Sequence, residues 1–192
     1  MCSSQKASEV FSKLLFGWKI VYVDSIGNSW GLLAAWDPKV VDFNPFSTCA
    51  SILLTGRLRG FKHVVNIVNY YGPCRDIEAF WKAVEAKGIL TKTNPIFVGD
   101  LNLTTKASEI WGSTRCYPMD SFFRELFHRV NLIDILPLKI VLTWKNDEMG
   151  DAQISKRLDR FLVAEEFSEL FFKVECGCSD LEKWQDGGGT HQ

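Results

Sequence analysis

Pro95-Ile96-Phe97-Val98-Gly99-Asp100-Leu101-Asn102 is the stretch on which the reading of this chain turns. Pro95 to Val98 is a short apolar run bounded by Pro and Gly, the pattern of a buried strand. It delivers an acid and an amide, two residues apart, to the point where the chain enters the polar stretch Thr104 to Ser108. Along an extended backbone, positions 100 and 102 point the same way. A carboxylate and a carboxamide converging at a strand's carboxyl end suit the orientation of a water and donation to a phosphate oxygen. The same two residue types are also common where a strand becomes a turn, because their side chains bond nearby backbone.

Upstream of this strand, Lys62 to Tyr70 is rich in Val and Ile and ends at Gly72-Pro73, so it reads as another strand. Between the two, Asp76 to Lys87 places Ile77, Phe80, Trp81 and Val84 on one helical face, with Gly88 just past the end. Further upstream, a helix over Ser4 to Phe16 precedes short strands at Trp18 to Val23, Gly31 to Trp36, Val40 to Phe43 and Ser51 to Leu58, with turns at Gly27-Asn28 and Asp37-Pro38. Strands so closely spaced predict antiparallel pairing there. Downstream, a loop runs from Leu101 to about Cys116, then a helix over Asp120 to Arg129 carrying Phe122, Phe123, Leu126 and Phe127. Ile140 to Trp144 and Arg157 to Val163 read as strands joined by the polar loop Lys145 to Ile154, and Glu165 to Leu170 as a short acidic helix. Strands and helices mix without strict alternation, which makes the class α/β with packed sheets covered by helices.

Composition narrows the function classes. Hydrophobic residues make up 46 % and aromatic residues 13 % of 192 residues, with seven Trp and fourteen Phe, enough for one sizeable core. A net charge of −1 carries no global basic field, so a nucleic-acid partner must use a local patch. No apolar leader opens the chain and no run approaches the roughly 18 apolar residues of a membrane span. The expectation is a soluble intracellular protein without a membrane partner. Six cysteines are scattered, only Cys176-Gly177-Cys178 being close, which predicts reduced and mostly buried thiols. His63 opens a strand and His128 lies on a helix, both in structural roles, and His191 lies in the glycine-rich end Gln185 to Gln192.

Three more strand ends carry chemically able side chains. Asn69-Tyr70-Tyr71-Gly72-Pro73 presents a phenol, either for a phosphate or as an aromatic cap on the core. Leu142-Thr143-Trp144-Lys145-Asn146 ends in a hydroxyl and an indole, the latter also at home at a sheet edge. Ser155-Lys156-Arg157-Leu158-Asp159-Arg160-Phe161-Leu162-Val163 sets Arg157 and Asp159 on one strand face. An acid among apolar neighbours is costly unless paired or near a metal, so Asp159 is a functional candidate, or the partner of Arg157 or Arg160.

Taken in order, Tyr-Gly-Pro, a Trp-bearing helix, Gly-Asp-Leu-Asn, Leu-Thr-Trp and Ser-Lys-Arg-Leu-Asp-Arg-Phe-Leu resemble the endonuclease/exonuclease/phosphatase superfamily. The pattern is most similar to the endonuclease domain of plant LINE-type (non-LTR) retrotransposons, where Glu109-Ile110-Trp111-Gly112 and Ile154 to Leu162 also have counterparts. The resemblance spans about Met1 to Phe172. It implies a four-layer α/β sandwich, two packed mixed sheets flanked by helices, and phosphodiester hydrolysis of DNA assisted by Mg²⁺ or Mn²⁺. By that resemblance Asp100 orients or deprotonates the attacking water, and Asn102 and Tyr71 hold the scissile phosphate. Asp159 would orient a catalytic His, Trp144 and Arg157 would contact substrate, and Asp180 would belong to the metal site.

The same comparison sets expectations about what this chain lacks. The family's first two strands, bearing an Asn and a metal-ligating Glu, have no counterpart after Met1, and its closing Ser-Asp-His is matched by Ser179-Asp180-Leu181, with Leu in the place of His. The expected organisation is therefore a partial domain over 1–175, without the first two strands and the last, followed by a divergent, disordered tail over 176–192. Two functional expectations follow. One is an endonuclease-type phosphodiesterase with impaired activity; the other is a non-catalytic retroelement-derived remnant with weak nucleic-acid or protein binding. A phosphoinositide or sphingomyelin phosphodiesterase would share the chemistry, but no basic amphipathic segment faces a membrane.

Overall fold

Strong β-formers and two amphipathic helices build a mixed sheet with those two helices on one face. The computed structural model describes residues 4–24, 31–112, 119–139, 141–146 and 148–168. Helix α1 (Ser4–Leu14) leads into β1 (Lys19–Val23) and β2 (Leu32–Trp36). A hairpin of β3 (Val41–Ser47) and β4 (Ser51–Leu58) follows, then β5 (Val65–Tyr70), α2 (Ile77–Ala86) and β6 (Pro95–Asp100). Beyond lie β7 (Ile110–Trp111), α3 (Asp120–Arg129), β8 (Leu132–Asp134), β9 (Trp144–Lys145), β10 (Ser155–Lys156), β11 (Asp159–Ala164) and α4 (Glu165–Ser168).

Among the described residues, six strands form one sheet in the order β3-β4-β5-β6-β11-β8. Only β5 and β6 run parallel, with α2 making the crossover; their neighbours pair antiparallel. The helix-facing side carries Val68, Tyr70, Phe97, Leu132 and Leu162, buried against Trp81 and Val84 of α2 and Phe123, Leu126 and Phe127 of α3. Trp81 is fully buried and meets Phe123 edge-on. The opposite side alternates in turn, as the two-residue period of a strand requires. Its Ile52 and Leu54 pack with Trp36 and Phe43 under the β1–β2 ribbon, and its Val65, Ile96 and Val163 pack with Phe167 of α4. That ribbon is the described part of a second layer, and the α/β class with mixed sheet and flanking helices stands.

Two boundaries moved for physical reasons. The sequence pattern ends β3 at Phe43, yet the strand continues through Pro45 to Ser47. Proline is tolerated there because β3 is an edge strand whose outer side needs no backbone donor. The single strand expected over Arg157 to Val163 is broken: β10 ends at Lys156, β11 starts at Asp159, and the backbone between them leaves the ladder. β10 instead joins β7 and β9 in a small three-stranded sheet. The predicted strand at Ile140 reduces to Trp144–Lys145, position 140 itself lying outside the described residues. No helix among the described residues is long and apolar enough to cross a membrane.

Candidate active site

The carboxyl end of β6 and the start of β11 bring two acids face to face. In the antiparallel register Asp159 is the direct partner of Asp100, and cross-strand partners project from the same side of a sheet. Two glycines let a third segment close in. Gly99 sits at φ 117°, and a Cβ there would meet the Tyr70 carbonyl oxygen at 2.3 Å; a Cβ on Gly72 would meet the Leu101 carbonyl oxygen at 2.4 Å. The Gly72 N–H therefore donates to the Asp100 carbonyl at 2.6 Å, and the Leu101 N–H to Leu158 at 3.1 Å. Backbone contact alone thus knits the ends of β5, β6 and β11 into one knot.

Asp100 and Asn102 both act on local backbone while keeping further capacity. The Asn102 N–H donates to Asp100 Oδ1 at 2.9 Å, closing a side-chain turn that holds Asn102 in the left-handed region at φ 51°. It is this turn, rather than strand alternation, that brings the amide back beside the acid, since the strand ends at Asp100. Asn102 Nδ2 donates to the Gly72 carbonyl, and the Cys74 thiol lies 3.9 Å from Asn102 Oδ1. Burial pushes the Asp100 carboxyl up from its ordinary range, the Asn102 N–H draws it back, and the Asp159 charge adds to the rise. Tyr71, half-buried, is likewise raised by burial, with contributions from Cys74 and Asp100, so the phenol keeps its proton. Tyr70 points the other way, into the helix-facing core.

Asp159 is exposed. Its N–H and that of Leu158 both donate to the Thr143 hydroxyl, at 3.0 and 3.1 Å, which holds the start of β11 in place. Trp144, beside Thr143, is 41 % exposed, and Lys156 sets its ammonium 5.3 Å from the centre of that ring. These two line a cavity of about 210 Å³ together with Cys74, Asn102, Phe123 and Leu158. An aromatic plane, a cation and the Asn102 amide therefore share one hollow.

Arg157 takes a different place from the one its sequence position suggests. It is 3 % exposed and forks onto Asp134 with two bonds of 2.8 Å, with a further bond to Glu109 at 3.0 Å. Because the strand breaks at Arg157 and Leu158, Arg157 does not share the face of Asp159. A buried guanidinium occupied by two carboxylates has no edge left for a phosphate, so Arg157 is a framework residue. Arg160 joins the same cluster, and the pairing of Asp159 with either arginine does not form. Glu109, the hub, is 1 % exposed. Sequence reading placed it in a loop motif, and only the unusual cost of burying an acid marks it. Burial pushes the Glu109 carboxyl up, but Arg160, the Thr105 N–H and Arg157 outweigh this and hold it below the usual range. The thiols also differ from expectation: Cys49 and Cys74, the cysteines among the described residues, are exposed. Asp180, His191 and the remaining cysteines lie outside the described residues.

Among the described residues no group of three or more His, Cys, Asp and Glu converges on a point. The facing pair Asp100 and Asp159 nevertheless suits Mg²⁺, which is held by one or two carboxylates and otherwise by water and phosphate oxygens.

Neither a protein-family model nor a curated protein sequence matches the chain. Solved structures do match it. The endonuclease domain of TRAS1, a telomere-specific non-LTR retrotransposon, superposes with a TM-score of 0.58 at 20 % identity, over 88 % of this chain and 82 % of that domain. TDP2 of D. rerio, complexed with a single-strand DNA product, gives 0.54 at 10 % identity over 84 % of this chain and 67 % of that one. TDP2 from C. elegans gives 0.50 at 17 % identity over 84 % of this chain, which spans about half (52 %) of that protein. The chain thus shares its fold with the TRAS1 endonuclease domain and with TDP2.

Proposed function

We propose that this chain is a divalent-metal-dependent phosphodiesterase of endonuclease type that acts on DNA inside the cell, nearest in kind to the endonucleases of plant LINE-type retrotransposons. The observation that carries the reading is the register pair Asp100 and Asp159, two carboxylates facing each other beside a phenol and an amide. Like charges so placed raise each other's free energy unless a cation or a proton lies between them. The fold shared with the TRAS1 endonuclease domain and with TDP2 supports it.

In this reading Asp100 and Asp159 hold Mg²⁺ or Mn²⁺. The bound cation supplies charge neutralisation for the phosphate and a more acidic water. Asp100 would orient the attacking water and accept its proton. Asn102 keeps one amide N–H beyond the bond to Gly72 and donates it to a phosphate oxygen. Tyr71, protonated, donates a second hydrogen bond to the same group. Trp144 and Lys156 offer a flanking nucleotide a stacking surface and a counter-charge. Asp180 would complete the metal site. The sequence Ser179-Asp180-Leu181 places an aliphatic group where an imidazole would stabilise the transition state, so turnover is slow for such an enzyme.

Incubation of the full chain with supercoiled plasmid and Mg²⁺ or Mn²⁺ tests the reading. Nicking that chelation stops and that Asp100→Ala lowers at least about 100-fold is expected. A folded wild-type chain that leaves the plasmid intact, or an Asp100→Ala variant that nicks equally well, overturns it in favour of a non-catalytic binding protein.

A further inference from the structure

The buried cluster around Glu109 has no part in the chemistry above, yet it grips the loop that carries Asn102. Arg160, 3 % exposed, donates from Nε and Nη2 to the Leu103 carbonyl at 3.3 and 3.1 Å. Its Nη1 donates to Glu109 Oε1 at 3.1 Å and to the Thr105 hydroxyl at 3.4 Å, and it also bonds Asp134 Oδ2 and Glu109 Oε2. Glu109 Oε2 in turn accepts the Thr105 N–H at 2.7 Å and the Lys106 N–H at 3.3 Å. Polar groups from Leu103 to Lys106 are therefore fastened to one guanidinium and one carboxylate, immediately after Asn102.

Asn102 sits at φ 51°, a left-handed conformation that Asn adopts more readily than most residues with a Cβ and that its bond to Asp100 Oδ1 already favours; fixing the residues that follow limits the alternatives open to this turn. Three buried charges and a partly buried fourth, Asp134, are, in turn, an inefficient way to stabilise a fold, since well-packed apolar residues of similar volume often do as well or better. What a planar guanidinium adds is fixed direction, two donors on one carbonyl and two on carboxylates. Arg160 also adjoins Asp159 on β11 and projects to the opposite face of the sheet. One strand thus presents an acid to the candidate site and, on its reverse, the clamp on the loop bearing the site's amide.

We propose that Arg160, anchored by Glu109, is a positioning residue that holds the left-handed Asn102 turn and so keeps the Asn102 amide in register with Asp100. The kinetic part of this inference rests on the phosphodiesterase reading; the structural part does not. Two full-length variants test it. Arg160→Met combined with Glu109→Gln removes one charge of each sign and leaves the Arg157–Asp134 pair intact, while Arg160→Lys keeps the charge and loses the fork. In each, amide hydrogen exchange is followed at Leu101 and Asn102 and at Ile67 and Val68 of β5, alongside kcat and KM for plasmid nicking.

The expected result is exchange at Leu101 and Asn102 at least tenfold faster with β5 unchanged, and a kcat loss of tenfold or more at nearly constant KM. Arg160→Lys should recover the urea midpoint better than the exchange protection. Wild-type exchange at Leu101 and Asn102 in a folded double variant overturns the inference; should that variant not fold, the same result in Arg160→Lys does so. Absence of nicking by the wild-type chain would remove the kinetic comparison and the phosphodiesterase reading while the exchange data still decide the role of Arg160.

Discussion

Asp159 and Arg160 are neighbours on β11, and the two faces they occupy treat charge in opposite ways. On one face the exposed Asp159 meets the partly buried Asp100, acid against acid, with burial and repulsion lifting the Asp100 carboxyl. On the other, the buried Arg160, Arg157 and Glu109 meet the partly buried Asp134 in a set with two charges of each sign. Balanced charge is fixed in place and leaves nothing to react. Unbalanced charge costs stability and is what a cation and a phosphate can use. The contrast separates acids left open to a ligand from acids tied into the frame, and residue type alone does not.

The largest way to break the balanced side is Arg160→Met alone. It leaves Glu109 and Asp134 facing only Arg157, and the expected loss is about 3–5 kcal/mol, read from the urea midpoint. That is a large part of the roughly 5–15 kcal/mol that holds an ordinary domain together. A midpoint shift equal to that of a surface substitution would show the cluster to be solvated rather than buried.

On the open side, Trp144→Ala should weaken single-stranded DNA binding by about 1–3 kcal/mol, the usual range for loss of one stacked base. Its stability should stay within about 0.5 kcal/mol of wild type, because the ring is substantially exposed. Fluorescence anisotropy with a labelled oligonucleotide checks the first and thermal melting the second; unchanged affinity would remove Trp144 from the binding surface.

The two faces should also differ in the sign of their pH dependence. A carboxyl raised in the folded state, as in Asp100, contributes stability that is complete below the unfolded pKa and lost as pH rises through the folded value. Asp100→Asn should therefore melt higher than wild type near neutral pH, on the order of 1 °C, with the gap closing below the ordinary aspartate range. Glu109, lowered in the folded state, contributes stability that is present above the ordinary glutamate pKa and lost as pH falls through the folded value. Acid should thus weaken wild type more than Glu109→Gln. Parallel melting curves at all pH values would contradict both assignments.

The smallest effect calibrates the rest. Lys82 and Glu78 form an exposed pair one helical turn apart on α2. Glu78→Ala should change stability by no more than about 0.5 kcal/mol, as for most solvated pairs. A loss comparable to that of Arg160→Met would deny any special status to the buried cluster.

Local patterns were legible and non-local pairings were not. The apolar run Pro95 to Val98 and the faces of α2 and α3 could be read because period and punctuation are written into adjacent residues. That Asp100 would face Asp159 depends on a register between segments about 60 residues apart, and only the resemblance suggested it. Arg157 was misplaced because alternation was carried through a strand break, and its partner Asp134 lies 23 residues upstream, outside any local pattern. Glu109 looked like one more loop acid because its partners Arg157 and Arg160 come from the far end of the domain. The Asn102 turn was visible as a preference of Asp and Asn for local bonding, and the structure shows that bonding between the two candidate residues themselves.

The division of labour between the two faces is tested most directly by plasmid nicking with Asp159→Asn, measured beside its thermal midpoint. Asp159 lies in the open, acid-against-acid pair and takes no part in the buried network, so the substitution should lower nicking by about 100-fold or more with the midpoint unchanged or slightly raised. Nicking at the wild-type rate would contradict the assignment of chemistry to the facing carboxylates.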